Sequence, residues 1–275
     1  MRKTLIGAVG LCLLGGLVAV GEAAPRGKHV KAALVAENDA VQPGQPLTVG
    51  VRLRMDAGWH TYWRNPGDAG LPTKAKWTLP EGFEAGELQW PRPGRFNTGP
   101  LVSFGYEHEV LLPVEIRVPA TVASQEVTLS AKVSWLECEE ICLPGKTELT
   151  LTLPVRASVA PSPAAPAFAA ARQQLPGSSE GWGVSASVDS AAVTLELTPP
   201  KGSTLDEAYF YPVTRRVLDY AKPQALGSQG GRYELVLPLK TGDTVVERLE
   251  GVLVGRTPKG PVALEVNVAP GAKTD

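Results

Sequence analysis

From Val30 onward, apolar and polar residues alternate over short runs, each closed by Gly or Pro, and this period of two limits the fold more than any other feature of the chain. An apolar residue at every second position gives a ribbon one dry and one wet face, which suits a half-buried strand and not a helix with its 3.6-residue repeat. The 29 Gly and 25 Pro among 275 residues interrupt the chain too often for long helices. Strands are expected at residues 30–36 (VKAALVA), 46–55 (PLTVGVRLRM), 59–64 (WHTYWR) and 73–79 (TKAKWTL). Further runs follow at 109–118 (EVLLPVEIRV), 126–135 (EVTLSAKVSW) and 147–155 (TELTLTLPV).

So many short strands at this spacing read as a β-sandwich of immunoglobulin-like type over residues 28–156. Residues 157–180 break the alternation with Pro and Ala and read as a linker, with room for a short helix around Phe168 to Leu175. Beyond it VSASV, AVTLELT, EAYFYPV, RYELVLPL, ERLEGVLVG and VALEVNV give a second sandwich over residues 181–270. The expectation is an all-β chain of two tandem β-sandwich domains. The second has neither Cys nor His and names no chemistry.

The first residues pair Arg2 and Lys3 with an apolar run from Leu5 to Val20 and small residues at Gly21 and Ala23, the pattern of a secretory signal cut after Ala23. Residues 1–23 are therefore expected to leave, with Cys12 among them. Its bacterial character places the mature chain in the periplasm, where disulfides form and persist. No later run approaches the roughly 20 apolar residues of a membrane span, so no membrane insertion is expected. A formal charge of −1 without a Lys or Arg cluster excludes nucleic acid as an obvious partner.

Residues 135–146 read WLECEEICLPGK. Val127, Leu129, Ala131, Val133 and Trp135 share one face of the incoming strand, and Leu149, Leu151 and Leu153 one face of the outgoing strand, which puts Cys138 and Cys142 in the connection. A bond between them would restrict the unfolded chain by only about 2 kcal/mol in the loop-entropy picture, a poor staple. Short, exposed rings are the exchange-prone kind. Glu137, Glu139 and Glu140 adjoin the sulfurs, while the nearest cation in sequence is Lys146. Carboxylates disfavour thiolates, and a couple with an unstabilised thiolate is weakly oxidising, so the local charge leans toward a reductant or electron relay.

Other readings of the same residues stand beside this one. The pair is an inert loop disulfide in a binding module, or its thiolates join His60 or His108 to hold Cu(I) or Zn(II) in a copper-binding, copper-tolerance protein. A Cys–His nucleophile leaves the second cysteine unexplained. Trp59, Trp63, Trp77 and Trp90 fit a sugar platform less well than strand packing.

Four stretches together, AGWHTYWRNPGDAGLPT (57–73), LQWPRPGRF (88–96), FGYEHEVLLPVEI (104–116) and WLECEEICLPGK (135–146), resemble the periplasmic N-terminal domain of the DsbD family of thiol:disulfide interchange proteins, in particular the ScsB branch. The resemblance implies protein-disulfide reductase chemistry without a cofactor and without a resident metal. The Cys138–Cys142 pair would take electrons from a membrane electron-transfer protein and pass them to periplasmic thioredoxin-fold proteins or to cytochrome c maturation. Cys142 would form the mixed disulfide and Cys138 resolve it. The resemblance also implies that His60 and Tyr62 line the site and that a flexible loop, between Gly94 and Tyr106, shields it with Phe96 or Phe104. The 275 residues carry no membrane electron-transfer domain and no C-x-x-C domain, so the donor is expected to be a separate protein.

Overall fold

The computed structural model describes residues 27–240 and 246–272. The expected signal segment and Cys12 lie outside the described residues. The first half is built from β1 (Val30–Ala36), β2 (Leu47–Met55), β3 (His60–Gly67), β4 (Lys74–Thr78), β5 (Glu84–Ala85), β6 (Gly94–Thr98), β7 (Leu101–Glu107), β8 (Glu109–Arg117), β9 (Glu126–Cys138) and β10 (Cys142–Pro154). One sheet runs β1-β2-β8-β5 and the other β10-β9-β3-β7-β6, with β4 pairing separately on β9. The inward positions of the two sheets, among them Val51, Leu53, Leu112 and Ile116 on one side and Trp63, Leu129 and Val133 on the other, meet in one apolar core. Burying each such side chain contributes roughly 1.5–3 kcal/mol.

The alternating runs account for most of these strands because alternation is all that a half-buried ribbon requires. Two stretches differ from expectation. Strand β3 runs past the expected end at residue 64 to Gly67, beyond a bulge between Tyr62 and Gly67. The segment from Gly94 to Tyr106, expected as a flexible loop, is the β6–β7 hairpin, with Phe96 opposite Ser103 and Arg95 opposite Phe104.

Helix α1 (Ala165–Gln174) forms in the Pro/Ala-rich segment, three residues earlier than the sequence pattern places it. A Pro in its first turn is already at the helical φ and gives up an N–H that has no helical partner anyway. Phe168 and Ala171 pack on Leu111 of β8. Backbone bridges tie Asn38 to Pro161 and Gly177 to Leu264, so the segment lies along the first sandwich and enters the second through a strand contact.

The second half holds β11 (Gly183–Val188), β12 (Ala192–Thr198), β13 (Glu207–Pro212), β14 (Ala225–Gln229), β15 (Arg232–Pro238), β16 (Leu249–Thr257), β17 (Gly260–Val268) and β18 (Gly271–Ala272). Its sheets are β14-β15-β12-β11-β18 and β13-β16-β17. The AYFYP run is β13, with Phe210 fully buried and Tyr209 and Tyr211 turned toward the first domain.

The two sandwiches share a core. Asn65 of β3, fully buried, donates from Nδ2 to the Pro212 carbonyl at 2.7 Å and to the Tyr220 hydroxyl at 3.2 Å. Phe104 of β7 meets Tyr211 and Tyr220 edge-on at 5.1 and 5.0 Å between ring centres. No helix among the described residues is long and apolar enough to cross a membrane.

Candidate functional site: a disulfide at a hairpin tip

Cys138 closes β9 and Cys142 opens β10, and the two face each other in register across the hairpin with their Cα atoms 4.2 Å apart. They are joined by a disulfide bond. Three residues, Glu139, Glu140 and Ile141, make the connection, closed by the Glu139 N–H on the Ile141 carbonyl. The sulfurs differ in access: Cys138 is 2 % exposed, whereas Cys142 lies at the surface.

The neighbouring strand supplies the surroundings. His60 of β3 pairs with Cys138 of β9, and Tyr62, two residues on, points to the same face. The Tyr62 hydroxyl donates to Cys138 Sγ at 2.8 Å and lies 3.4 Å from Cys142 Sγ. Burial raises the Tyr62 pKa, so the phenol stays protonated and available as a donor. Its ring lies against the backbone of Gly70, where φ is +107° and a Cβ would fall 2.3 Å from Cε1 of the ring. Only Gly fits there. Gly145, opposite Trp135 on β10, makes room in the same way for the Trp135 indole.

His60 stands edge-on to Tyr62 at 5.2 Å and is stacked by Phe96 of β6 at 5.1 Å. It is 6 % exposed and its Nε2 finds no hydrogen-bond partner. Burial lowers its pKa, with Glu107 opposing, so a neutral imidazole is favoured. Cys138, Cys142, His60, Tyr62 and Phe96 therefore come together on one face. A disulfide with one buried and one surface sulfur, and a hydroxyl donor on the buried one, is chemically suited to attack from outside.

Residues 31–154 match the family model of the thiol:disulfide interchange protein DsbD, N-terminal. They form a DsbD N-terminal-like domain. Among solved structures, the N-terminal periplasmic domain of ScsB from Proteus mirabilis aligns with a TM-score of 0.65 at 20% identity, over 90% of this chain and 97% of that one. That alignment spans both sandwiches and supports the fold of the whole. The N-terminal domain of DsbD from Neisseria meningitidis in the reduced form is 18% identical over 47% of this chain and 91% of its own, with a TM-score of 0.24. No curated protein matches the chain at a significant level.

Two side chains of the DsbD N-terminal-like domain are not where the sequence reading puts them. Glu137 does not crowd the sulfurs. It shares parity with Trp135 along β9, so it turns to the opposite face from Cys138, where its carboxylate is fully buried. It accepts hydrogen bonds from the backbone N–H groups of Lys28 and His29 at 2.8 and 3.1 Å and from the Trp135 indole at 2.9 Å. Glu139 folds back on the Gly58 backbone, where a Cβ would lie 2.5 Å from Oε1. The electrostatic lean toward a reductant thus loses one of its three carboxylates.

Phe104 is not a shield either. Its ring is fully buried against Tyr209, Tyr211 and Tyr220 of the second domain, because side chains along β7 alternate and Ser103 and Gly105 take the face toward Tyr62. Trp63 is fully buried and Trp59 stacks on His29 at 3.8 Å, so these rings serve packing. Among the described residues no three His, Cys, Asp or Glu side chains gather in a way that would hold a metal ion.

The sequence reading missed Asn65, Arg95 and Tyr220, which join the two domains, and Gly70, which backs Tyr62. Only Gly70 left a trace in the sequence, as the last residue of a Gly-rich stretch after an aromatic strand.

Proposed function

We propose that this chain is a periplasmic thiol:disulfide interchange protein whose Cys138–Cys142 pair carries two electrons between a membrane-embedded donor and thioredoxin-fold clients. The observation that carries this reading is the asymmetry of the pair, with Cys142 at the surface and Cys138 buried beneath Tyr62.

A donor thiolate attacks Cys142 Sγ, forming the mixed disulfide and breaking the Cys138–Cys142 bond. The electron pair of that bond leaves on Cys138 Sγ, where the Tyr62 hydroxyl already points and stabilises the new thiolate. A second donor thiolate then attacks its own partner sulfur, expelling Cys142 as a thiolate and leaving the donor oxidised and this chain reduced. Passing the electrons on runs the same steps backwards: the Cys142 thiolate attacks a client disulfide and Cys138 resolves the product. Ile141, 65 % exposed beside Cys142, gives a client an apolar contact next to the reactive sulfur.

The test is trapping. Cys138→Ser removes the resolving thiol, and the variant should accumulate a mixed disulfide through Cys142 with a thioredoxin-fold protein carrying its own disulfide. Cys142→Ser should trap little, because its remaining thiol is buried. Equal trapping by both variants, or by neither, contradicts the assignment.

A further inference from the structure

The second domain has neither Cys nor His, yet it grips the hairpin that carries Phe96. Arg95 and Phe96 are adjacent on β6 and so project to opposite faces. Phe96 lies on His60, at the disulfide. Arg95 reaches the other way: its guanidinium stands 5.9 Å from the ring centre of Tyr209, and its NH2 group donates to the Tyr220 carbonyl at 3.3 Å. Both partners belong to the second domain.

The rest of the hairpin is held from the same side. Phe104, across the ladder from Arg95, is buried in the Tyr209, Tyr211 and Tyr220 cluster. At the root of β6, the Arg92 N–H bonds the Gln174 carbonyl at the end of α1, 2.8 Å away. The hairpin is the edge of its sheet, joined to it through β7 on β3, so β6 has a strand partner on one side only and these contacts hold that outer strand from the second domain.

We propose that the second domain is a positioning element for the disulfide, holding Phe96 against His60 through Arg95 and thereby limiting access to the sulfurs. This rests on the thiol-exchange reading and gives the second domain a part in it. Arg95 acts through Phe96 and is a positioning residue. A structural change in the second domain, such as a partner binding at Tyr209, would then alter the reactivity of a bond it does not touch.

The experiment compares the rate of reduction of the oxidised protein by dithiothreitol in four forms: wild type, Arg95→Ala, Phe96→Ala and the double variant, with thermal unfolding as a control. Arg95 is exposed, so its truncation leaves the core intact. Each single substitution is expected to speed reduction about threefold or more, and the double variant to match Phe96→Ala, because removing the tether of a ring already gone adds nothing. A rate for Arg95→Ala unchanged or slower while Phe96→Ala is fast, or a double variant equal to the product of the singles, overturns the proposal. An unchanged rate for Phe96→Ala overturns it too, by removing the cap it depends on. A wild-type disulfide that dithiothreitol does not reduce under native conditions is a different result, and defeats the exchange reading itself.

Discussion

The hydroxyl of Tyr62 donates to Sγ of Cys138 at 2.8 Å, and Cys138 is the sulfur that must leave when Cys142 is attacked. A hydrogen bond to a charged group contributes about 1.5–3 kcal/mol, against much less for one to a neutral sulfur, so the bond strengthens as the S–S bond breaks.

Tyr62→Phe keeps the ring against Gly70 and deletes the donor. Reduction by a thiol should slow by about tenfold, the rate equivalent of roughly 1.4 kcal/mol, and the Cys138 thiol pKa should rise. Stopped-flow reduction and pH-dependent alkylation of the reduced protein check this. An unchanged rate would mean that Tyr62 only packs.

Glu137 adjoins Cys138 in sequence but faces away from it and binds three N–H groups. Glu137→Ala leaves buried donors unpaired and should cost about 2–4 kcal/mol of stability, with amide protection lost at Lys28 and His29. The redox midpoint should stay within about 30 mV of wild type. A larger shift in midpoint with little loss of stability would place the carboxylate beside the sulfurs after all. Denaturant titration and redox equilibration on one preparation separate the two outcomes.

His60 is held neutral by burial, with Glu107 pulling weakly the other way. As the pH falls below the ordinary value of 6.5, the unfolded chain takes up a proton that the folded chain resists until its lower pKa is reached. The stability His60 contributes is therefore fully present above that value and is lost toward lower pH. His60→Phe, which keeps a ring for Phe96 to stack on, should remove this part of the acid sensitivity. Urea unfolding of both proteins across pH 5–8 measures it, and a difference between them that does not change with pH contradicts the account.

The strands were legible in the sequence where a run of apolar and β-branched residues is long and closed by Gly or Pro. Val30–Ala36 and Glu126–Trp135 alternate, and both became strands. Leu101–Glu107 does alternate, with Val102, Phe104 and Tyr106 set against Ser103, Gly105 and Glu107, but the family resemblance assigns it to a shielding loop, and its partner Gly94–Thr98 is short and polar. Both therefore pass for loop. The orientation of Glu137 was available from parity with Val133 and Trp135, but proximity in sequence to the cysteines outweighed it. Asn65, Arg95 and Phe104 meet the second domain through tertiary packing alone, and no local pattern announces such a contact. The cysteine pair was accessible from the hairpin pattern, whereas the family resemblance placed His60 and Tyr62 beside it, strand spacing adding only that the two share a face.

The most direct measurement of the central claim is the redox midpoint of the purified protein, equilibrated in graded thiol/disulfide buffers and read by alkylation and mass spectrometry. A reversible couple between about −180 and −270 mV is the predicted result and belongs to proteins that exchange disulfides. A midpoint below about −300 mV would mark Cys138–Cys142 as a structural bond and contradict the account.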